Sequence, residues 1–361
     1  MGNDMEETLS KQVVVVGAGM VGASLAYHLA GKGAQVTLVE AEDVASGATG
    51  SSFAWINTSS PEPDPIAQLR GAAIDEYRRL EKRLPSIKIR WTGALTYSVP
   101  SSGARPNSDN NSRAKTMFRS QILELEPNLK NPPQTALYAA EEGALDAVAA
   151  THALIVGAET HGARILTHTR VLDFLTQDKK VTGLETTKGI IMADIVVLAA
   201  GTGITQLTDK LEVSLPINAS PAIFIRYRSQ PNVVNTLISN PTMEVRQSSD
   251  GALLAAEDYL DDAVENQPAA IAFRTAKTIQ DELHGVVSIE PERTCVGLRP
   301  IPADSLPLIG YLPKMAGVYV CVMHPGITLA AIVGRLVSEE IIDGNLSEAL
   351  SPCRPSRFFQ K

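Results

Sequence analysis

Residues 12–40 contain a glycine-rich turn between two apolar segments that are predicted to be strands. This pattern occurs in few folds and therefore restricts the possible fold of the chain. Val13–Val16 is a short β-branched run of the kind that forms a buried parallel strand, and Gln35–Val39 is another. The residues between them follow a helical period that ends near Gly31 and Gly33. This order of strand, helix and strand predicts a βαβ unit.

The first turn of that unit has the GxGxxG pattern, and it reads Gly17, Ala18, Gly19, Met20, Val21, Gly22. Gly17 permits the tight turn, Gly19 lets a pyrophosphate approach the backbone, and Gly22 lets the helix pack on the strand. The helix start offers N–H groups and a partial positive charge to phosphates. Glu40, followed by Ala41, ends the second strand and can accept hydrogen bonds from a ribose. Its charge argues against a 2′-phosphate, so the turn predicts a site for a dinucleotide without that phosphate.

A loop dense in small and hydroxyl residues follows Glu40. Its candidate ligand contacts are Ser46, Gly47, Thr49, Gly50, Ser51 and Ser52. Such residues offer backbone and hydroxyl donors without bulk, so the loop can wrap a bound ligand. No GxSxG pattern surrounds the serines, which favours phosphate and cofactor contacts over a nucleophilic role.

The composition restricts the classes of partner. A chain of 361 residues, 44% hydrophobic and 20% charged, suggests two globular domains. A net charge of −8 argues against a nucleic-acid partner. Cys295, Cys321 and Cys353 form no CxxC pair, so we expect neither a disulfide framework nor a metal site, and a reducing compartment fits.

Two stretches bear on location. Residues 1–11 are polar and acidic and lack the apolar segment of a signal peptide. Residues 316–334 are apolar, but Pro325 and Gly326 divide them into pieces too short for about 30 Å of hydrocarbon. We therefore expect a cytoplasmic protein without a membrane span.

The remaining patterns predict a two-domain fold. Helices are expected over residues 66–83 and 146–162, and a buried strand over 195–198. Alternating residues between about 217 and 260 predict an antiparallel sheet. We expect an α/β nucleotide-binding domain with an inserted α+β substrate domain built on that sheet. The first would comprise residues 1–83, 150–205 and 299–361, and the second residues 84–149 and 206–298.

Four sequence blocks together resemble the FAD-dependent oxidoreductases of the D-amino-acid oxidase type, which include glycine oxidase, sarcosine oxidase and D-amino-acid dehydrogenases. The blocks are VVVVGAGMVGASLAYHLAGKG…LVE at 13–40, ASGATGSSFAWIN at 45–57, IVVLAAG at 195–201, and VGLRPIPADSLPLIG…GVYVCVMHPGITLAAIVGRLVSEEI at 296–341. Their order and spacing make chance a poor explanation. The resemblance implies a Rossmann-type FAD-binding domain and oxidation of a C–N bond in an amine or amino acid.

The resemblance also implies where FAD binds. In relatives, the first block holds the ADP half, and the serine-rich loop wraps the pyrophosphate and the flavin edge. The strand that ends at Ala200 and Gly201 passes the cofactor again, and Val171 matches the position whose backbone meets the adenine. The apolar spacing of the last block predicts a helix from about Thr328. Its start, with Pro325, Gly326, Ile327 and Thr328, is expected at the flavin N1–C2=O edge.

Three side chains are candidates for contact with the substrate. Arg299 can clamp a carboxylate through two hydrogen bonds, as an Arg in a similar setting does in D-amino-acid oxidases, or it can be a structural contact below the flavin. Arg246, on a strand predicted over Met243–Gln247, is a second carboxylate candidate. His324 lies where relatives carry a histidine near the flavin, and a flavin contact or a shaping of the backbone is favoured over proton transfer.

The predicted reaction converts an amine or amino acid to an imine by hydride transfer to flavin N5, and it requires the amine to bind in its neutral form. Cys295 does not align with the covalent flavin link of sarcosine oxidase, so we expect noncovalent FAD. Two alternatives stay open: an FAD-carrying subunit of a hetero-oligomeric amino-acid dehydrogenase, and an enzyme of the same fold that oxidises a 2-hydroxy acid. A homo-oligomer or an electron-accepting partner is compatible with either.

Overall fold

The computed structural model describes residues 10–58, 64–98 and 114–359, so the polar N-terminal residues 1–9 lie outside it. Contacts divide the chain into two compact units. The first unit comprises the chain up to Ser46, Thr151–Asn218 and the chain from Pro300 on, and the second unit comprises Gly47–Ala150 and Ala219–Arg299. Residues 47–83, which the sequence assigns to FAD binding, therefore belong to the second unit by contact.

The described residues contain the following strands, numbered in chain order: β1 (Gln12–Val16), β2 (Gln35–Val39), β3 (Trp55–Ile56), β4 (Ile89–Arg90), β5 (Ala94–Thr96), β6 (Lys115–Phe118), β7 (Thr135–Ala139), β8 (Gly143–Leu145), β9 (Arg164–Leu166), β10 (Val171–Gln177), β11 (Lys180–Thr186), β12 (Gly189–Met192), β13 (Ile195–Leu198), β14 (Ile217–Arg228), β15 (Leu237–Ser239), β16 (Glu244–Gln247), β17 (Leu253–Asp258), β18 (Glu290–Pro302), β19 (Leu308–Tyr311) and β20 (Val318–Val322).

The helices of the same described residues are α1 (Met20–Gly31), α2 (Ala67–Arg83), α3 (Arg119–Leu125), α4 (Ala147–Thr160), α5 (Ile204–Asp209), α6 (Pro268–Glu282) and α7 (Gly326–Asp343). The predicted helices over 66–83 and 146–162 correspond to α2 and α4. Of the helices described here, none combines the length and the apolar character that crossing a bilayer requires.

The first unit is built on a sheet of strand order β19-β20-β13-β1-β2-β9. The central strand β1 pairs in parallel with β2 and with β13, as the βαβ pattern predicts. Val13–Val16 are buried, and Val14 and Val16 pack in one apolar cluster with Phe174 of β10 and Leu184 of β11. At one edge β19 runs antiparallel to β20, and β10, β11 and β12 form a separate antiparallel sheet. The predicted α/β fold class is confirmed for this unit.

Helices α1 and α7 of the first unit pack in parallel at very short range. The Ser24 hydroxyl donates to Ala330 O over 2.8 Å, and Lys32 pairs with Asp343 over 2.6 Å near the helix ends. A Cβ atom on Gly334 would lie 2.2 Å from Ser24 Oγ and 2.9 Å from Ser24 O. Because the second of these is a backbone atom, glycine at position 334 is a condition of the close packing.

Replacement of Gly334 by alanine is therefore expected to destabilise the protein by about 1–3 kcal/mol, because the added methyl group separates the two helices. Urea unfolding followed by circular dichroism measures the effect. Gly203→Ala is the control, since its Cβ would meet only Ala200 Cβ, at 4.0 Å. Equal unfolding midpoints for the two variants would contradict the expected result.

A buried carboxylate fastens the segment after α7 to the first unit. Glu340 is 3% exposed and accepts hydrogen bonds from Tyr319 Oη at 2.6 Å, Arg354 Nη1 at 2.8 Å and Ser347 N at 2.8 Å. Burial acts to raise the pKa of Glu340, but the donors Arg354, Tyr319 and Ser347 outweigh it and hold that pKa below the usual 4.5. The ionised form is thus favoured by folding.

Glu340→Gln is expected to lower the free energy of unfolding by about 3–5 kcal/mol near neutral pH, because it leaves Arg354 without its carboxylate. Since the folded-state pKa is depressed, this contribution is fully present above the unfolded pKa and is lost as the pH falls through the folded value. Urea unfolding of both proteins at a series of pH values should show that their difference in free energy of unfolding decreases in acid. A difference that does not depend on pH would contradict the stabilising role of ionised Glu340.

The second unit is built on a sheet of order β18-β14-β17-β16-β15-β5-β7-β6. Its pairs β14–β17, β15–β16, β16–β17, β5–β7 and β6–β7 are antiparallel, as predicted. The prediction needs one correction, because β15 pairs in parallel with β5, a strand from a distant segment that no hairpin can join to it. Strand β16 begins at Glu244 rather than at Met243. A smaller sheet of order β3-β8-β4 completes the unit.

The two faces of the eight-stranded sheet carry different apolar clusters. One cluster includes Ile225, Val245 and Ala255 from the strands together with Ile271 and Ile279 of α6. The other is smaller and consists of Phe53, Ala94, Phe224, Leu237 and Leu254, with Trp55, Ala256 and Cys295 packed against it. We call this second side of the sheet the Phe224 face.

Candidate cofactor and substrate sites

The glycine turn of the first unit has the close geometry that the sequence predicts. Gly17 has a φ of 106°, a region that glycine adopts far more readily than other residues. A Cβ on Gly22 would lie 1.8 Å from Gly17 O, so α1 begins directly against the turn. A Cβ on Gly17 would lie 2.6 Å from Ala199 O and 3.0 Å from Ala200 Cα. Ala199 and Ala200, which follow β13 and precede Gly201, therefore lie beside this turn.

Glu40 is held over the same turn by backbone amides. Its Oε2 accepts from Ala18 N at 2.7 Å, and its Oε1 accepts from Glu42 N at 2.9 Å. These bonds fix the carboxylate at the end of β2, and Ala41 lies between Glu40 and Glu42 in sequence. A carboxylate in this place can still accept hydrogen bonds from two ribose hydroxyls, since each of its oxygens has a second lone pair.

The segment between β9 and β10 lies beside Glu40 and was not predicted. Thr169 N donates to Glu40 O over 2.8 Å, and Arg170 Nη2 pairs with Glu42 over 2.7 Å. Val171 follows at the start of β10 and packs against the core of the first unit. The polar run His168–Arg170 after a short strand was a usable signal, because it falls at the carboxyl end of a strand that neighbours β2.

Two helix N-termini lie next to each other in the first unit. The N-cap residues are Gly19 for α1 and Pro325 for α7, and neither of these described residues caps its helix with a side chain. A Cβ on Gly326 would lie 3.6 Å from Val21 Cγ2, so the two helix starts are in contact. The partial positive charges of both helices thus meet at one place, which suits anionic groups. Helix α7 begins two residues before the predicted Thr328.

His324 precedes this helix start and is exposed. Ile327 and Thr328 belong to the first turn of α7, and Thr328 is 1% exposed. The structure thus brings Pro325, Gly326 and the glycine turn together in the first unit. His324 lies beside the start of α7, and its predicted role near the flavin stays a prediction.

The serine-rich loop begins in the first unit and continues in the second. Ala45 N donates to Ala18 O over 3.0 Å, which places the neighbouring Ser46 near the glycine turn. Residues Ala48–Ser51, which include Thr49 and Gly50, form a 3₁₀ helix after Gly47. Ser52 Oγ accepts from Ala54 N at 3.0 Å, a bond that stabilises the exit from the loop.

Strand β18 of the second unit packs against this loop. Arg293 Nη2 donates to Gly50 O over 3.1 Å. A Cβ on Gly297 would lie 3.0 Å from Ser51 Cβ, so glycine allows the strand to approach the loop closely. Cys295 lies between these two contacts on β18, is partly exposed and has no disulfide partner among the described cysteines.

The geometry of the first unit suits a dinucleotide such as FAD. Its glycine turn leaves no room for side chains at Gly17 and Gly22, its carboxylate is placed for a ribose, and two helix starts offer positive ends. Within the part of the chain that the structure describes, no group of three or more His, Cys, Asp or Glu could hold a metal ion. The residues present therefore fit a nucleotide cofactor.

Arg246 holds together parts of the second unit. It is 5% exposed, its Nε donates to Phe53 O over 2.8 Å, and its Nη2 donates to Leu145 O over 3.0 Å. Its guanidinium lies 5.3 Å from the Phe53 ring centroid. Burial lowers the pKa of Arg246 to about 10, so it is charged at neutral pH. The contacts fix the end of the serine-rich loop, whereas contact with a substrate stays a prediction.

Of the two arginines predicted to bind a carboxylate, Arg299 is more accessible than Arg246. Its Nη2 donates to Ser220 Oγ over 2.9 Å, and its Nε lies 3.4 Å from Ser220 O. The nearest carboxylate among the described residues is that of Asp258, at 3.9 Å, and it is 82% exposed. The Arg299 side chain is itself 32% exposed. A guanidinium held along one side, with only a distant and hydrated counterion, is able to bind a carboxylate.

Glu244 was missed by the sequence reasoning. It lies on β16 two residues from Arg246, so both side chains project from the same side of the strand. Ser239 Oγ lies 3.2 Å from its Oε2. Burial and the charges of Asp258 and Glu257 raise the pKa of Glu244 to about 7, although Ser239 and Arg299 oppose the shift. The alternation of Glu, Val and Arg along the strand was a usable signal.

Residues 12–340 match the model of the DAO family, described as FAD dependent oxidoreductase. The chain belongs to this family. Among curated relatives of the DAO protein are an opine oxidase subunit from Rhizobium meliloti, 24% identical over 96% of the chain and 97% of the relative, and glycine oxidase from Geobacillus kaustophilus, 25% identical over 97% of each. The predicted family and its cofactor FAD are confirmed.

Solved structures agree on the fold of the DAO protein. Glycine oxidase from Geobacillus kaustophilus superposes with a TM-score of 0.85 at 20% identity, covering 96% of this chain and 99% of that one. Iminodiacetate oxidase from a Chelativorans species gives a TM-score of 0.81 at 18% identity, covering 95% and 99%. The predicted fold class is thereby confirmed, while the individual site residues stay predictions.

Proposed function

We propose that this DAO protein oxidises the C–N bond of an amino acid, or of a related amine that carries a carboxylate, to an imine. The observation that carries the proposal is Arg299, a partly exposed guanidinium whose nearest carboxylate among the described residues is hydrated and 3.9 Å away. The names of the relatives support it, since glycine oxidase and iminodiacetate oxidase are named for amines that carry carboxylates.

The cofactor contacts are assigned to the first unit. Gly17–Gly22 and Glu40 would hold the ADP half, and the start of α7 would meet the flavin edge. When bound, FAD supplies the redox chemistry by accepting a hydride from the carbon attached to nitrogen. We propose noncovalent binding, because Cys295 is placed on β18 among apolar neighbours of the second unit.

The substrate contacts are assigned to the Phe224 face of the second unit. Arg299 would bind the carboxylate through its exposed edge and so orient the carbon that bears the nitrogen. Phe224 and Leu254 are 9% and 6% exposed, and they would exclude water from the apolar part of the substrate. Arg246 would act as a positioning residue, because its bonds to Phe53 and Leu145 fix the end of the serine-rich loop.

Anaerobic titration of the purified yellow protein tests the proposal. The ligands are D-, L- and N-methyl amino acids, the corresponding amines without a carboxylate, and 2-hydroxy acids. We expect bleaching of the flavin absorbance by carboxylated amines, and much slower bleaching by amines of equal length that lack the carboxylate. Bleaching by 2-hydroxy acids alone would replace the proposed reaction with oxidation of an alcohol.

A second candidate function is that of an FAD-carrying subunit in a larger dehydrogenase. The opine oxidase relative is named as one subunit of its enzyme. Three apolar side chains around α6 are also exposed: Leu260 by 66%, Val264 by 83% and Phe273 by 68%. The isolated chain would then be reduced by an amine but would consume little oxygen. Rapid oxygen consumption by the isolated chain would exclude this function.

A further inference from the structure

The Phe224 face places one carboxyl group at the border of an apolar surface. The strand register sets Glu244 opposite Ala256, and Ala256 opposite Phe224, so the three lie in one row across the sheet. In the next row Arg246 lies opposite Leu254. Glu244 is partly exposed, whereas Phe224 and Leu254 are almost covered. The carboxyl group of Glu244 is thus the accessible group at the edge of these covered apolar residues.

Glu244 has no cation of its own at ion-pair distance. It accepts a hydrogen bond from the neutral Ser239 hydroxyl at 3.2 Å, and no Lys, Arg or His nitrogen of the described residues lies within 4.0 Å of its carboxylate. Arg299 is close enough to lower its pKa, and Arg299 in turn is 3.9 Å from Asp258. The Phe224 face therefore presents the guanidinium of Arg299 and, separately, the carboxyl group of Glu244. Each of them can form an ion pair with a charged group of a ligand.

We propose that Glu244 is the counterion of the substrate's ammonium group and accepts a proton from it, while Arg299 holds the substrate carboxylate. The inference rests on the proposed function and extends it, because it makes the substrate a zwitterion. In the step, one N–H bond of the ammonium breaks and its electron pair stays on nitrogen. An O–H bond forms on the Glu244 carboxylate. The product is the neutral amine, which is the form that can be oxidised, so the amine becomes neutral after binding rather than before it.

The surroundings of Glu244 suit this task. Burial is the main reason that its pKa rises to about 7, with Asp258 and Glu257 of β17 adding to the rise, and Ser239 of β15 and Arg299 of β18 opposing it. An acceptor titrating near neutral pH is ionised often enough to receive a proton and acidic enough to release it afterwards. An ordinary exposed glutamate would be a much weaker base.

Two isosteric ligands test the counterion directly, without turnover. Trimethylglycine carries a fixed positive charge, and 3,3-dimethylbutanoate is its neutral carbon analogue with the same carboxylate. Calorimetric binding to the FAD-loaded protein should favour trimethylglycine by about tenfold at about pH 8. The preference should fade as the pH falls through about 7, because Glu244 becomes protonated. Glu244→Gln should lose the preference but bind 3,3-dimethylbutanoate normally, and Glu244→Asp should keep part of it.

The matched control is Glu257→Gln. Glu257 lies on the neighbouring strand β17 opposite Ile223, accepts a hydrogen bond from Thr275 of α6 at 2.7 Å, and has a pKa raised mainly by burial. Because it projects from the other side of the sheet, and because its loss would only lower the pKa of Glu244, its replacement should leave the ligand preference at about pH 8 unchanged. Equal binding of the two ligands by the wild type, or a preference that survives in Glu244→Gln, would overturn the inference.

A pH profile separates proton transfer from a structural role. With an amino-acid substrate, kcat/KM of the wild type should rise through about pH 7, whereas that of Glu244→Gln should rise only at the higher pKa of the free amine. A variant that is equally slow at every pH would overturn the proton-accepting role. If carboxylated amines bleach the flavin but the ligands show no charge preference, Glu244 loses its role and the proposed function stands. If neither ligand binds, the carboxylate site at Arg299 fails as well.

Discussion

Gly22→Ala is expected to give a colourless protein that no longer retains FAD. The added Cβ would lie 1.8 Å from Gly17 O, a backbone atom that cannot move without opening the glycine turn. Overpacking of this kind costs about 3 kcal/mol or more, so we expect the dissociation constant for FAD to rise at least about 100-fold. Flavin absorbance after gel filtration and a fluorescence titration with FAD measure the effect.

Gly31→Ala in the same helix is the matched control. Its Cβ would meet only the His161 ring, at 3.6 Å, which is an ordinary contact distance. This variant should remain yellow, and it distinguishes a local steric effect from general damage to α1. Retention of FAD by Gly22→Ala with wild-type affinity would show that the first unit does not bind the cofactor in the assigned way.

Arg299→Leu is expected to reduce kcat/KM for carboxylated amines by about 100- to 1,000-fold while FAD content stays normal. The substitution removes the charge-assisted hydrogen bonds that hold the carboxylate and leaves that anion unpaired. The loss should appear mainly in KM, because the carboxylate is bound equally in the ground state and the transition state. Stopped-flow reduction by a series of substrate concentrations separates binding from the chemical step.

Arg228→Leu is the matched control for that loss. Arg228 lies on β14 of the same unit, its side chain is 72% exposed, and it pairs with Glu292 over 3.1 Å. Exposed ion pairs contribute little, so this variant should behave as the wild type. Amines without a carboxylate should react at the same slow rate with the wild type and with Arg299→Leu. An unchanged KM in Arg299→Leu would remove Arg299 from the substrate site.

The cofactor-binding half of the fold could be predicted because its determinants are close in sequence. Gly17 and Gly22 meet within one turn, and Glu40 closes the same βαβ unit. The spacing of apolar residues in the two strands and in the helix between them is enough to predict such a unit. The start of α7 was harder, since the N-cap falls on Pro325 and moves the helix to Gly326, ahead of the first clear apolar repeat.

The substrate half could be predicted only in outline. Alternation along β16 indicates a strand, but it does not show which face is covered, because that depends on residues brought from elsewhere. Arg246 is fixed by carbonyl groups of Phe53 and Leu145, and Glu244 is affected by Arg299 and Asp258. The parallel pairing of β15 with β5 also joins two segments that are far apart in the sequence. These contacts join segments that no local pattern relates.

The parallel packing of α1 on α7 has a consequence for biosynthesis. A ribosome releases α1 early, but Gly334, which lies against Ser24, emerges only after the whole second unit has been made. Until then the nascent polypeptide exposes the side of α1 that α7 later covers. Since the start of α7 is proposed to meet the flavin edge, we expect stable uptake of FAD only after residue 334 has been made, and chaperones that shield the early helix should raise the yield of yellow protein.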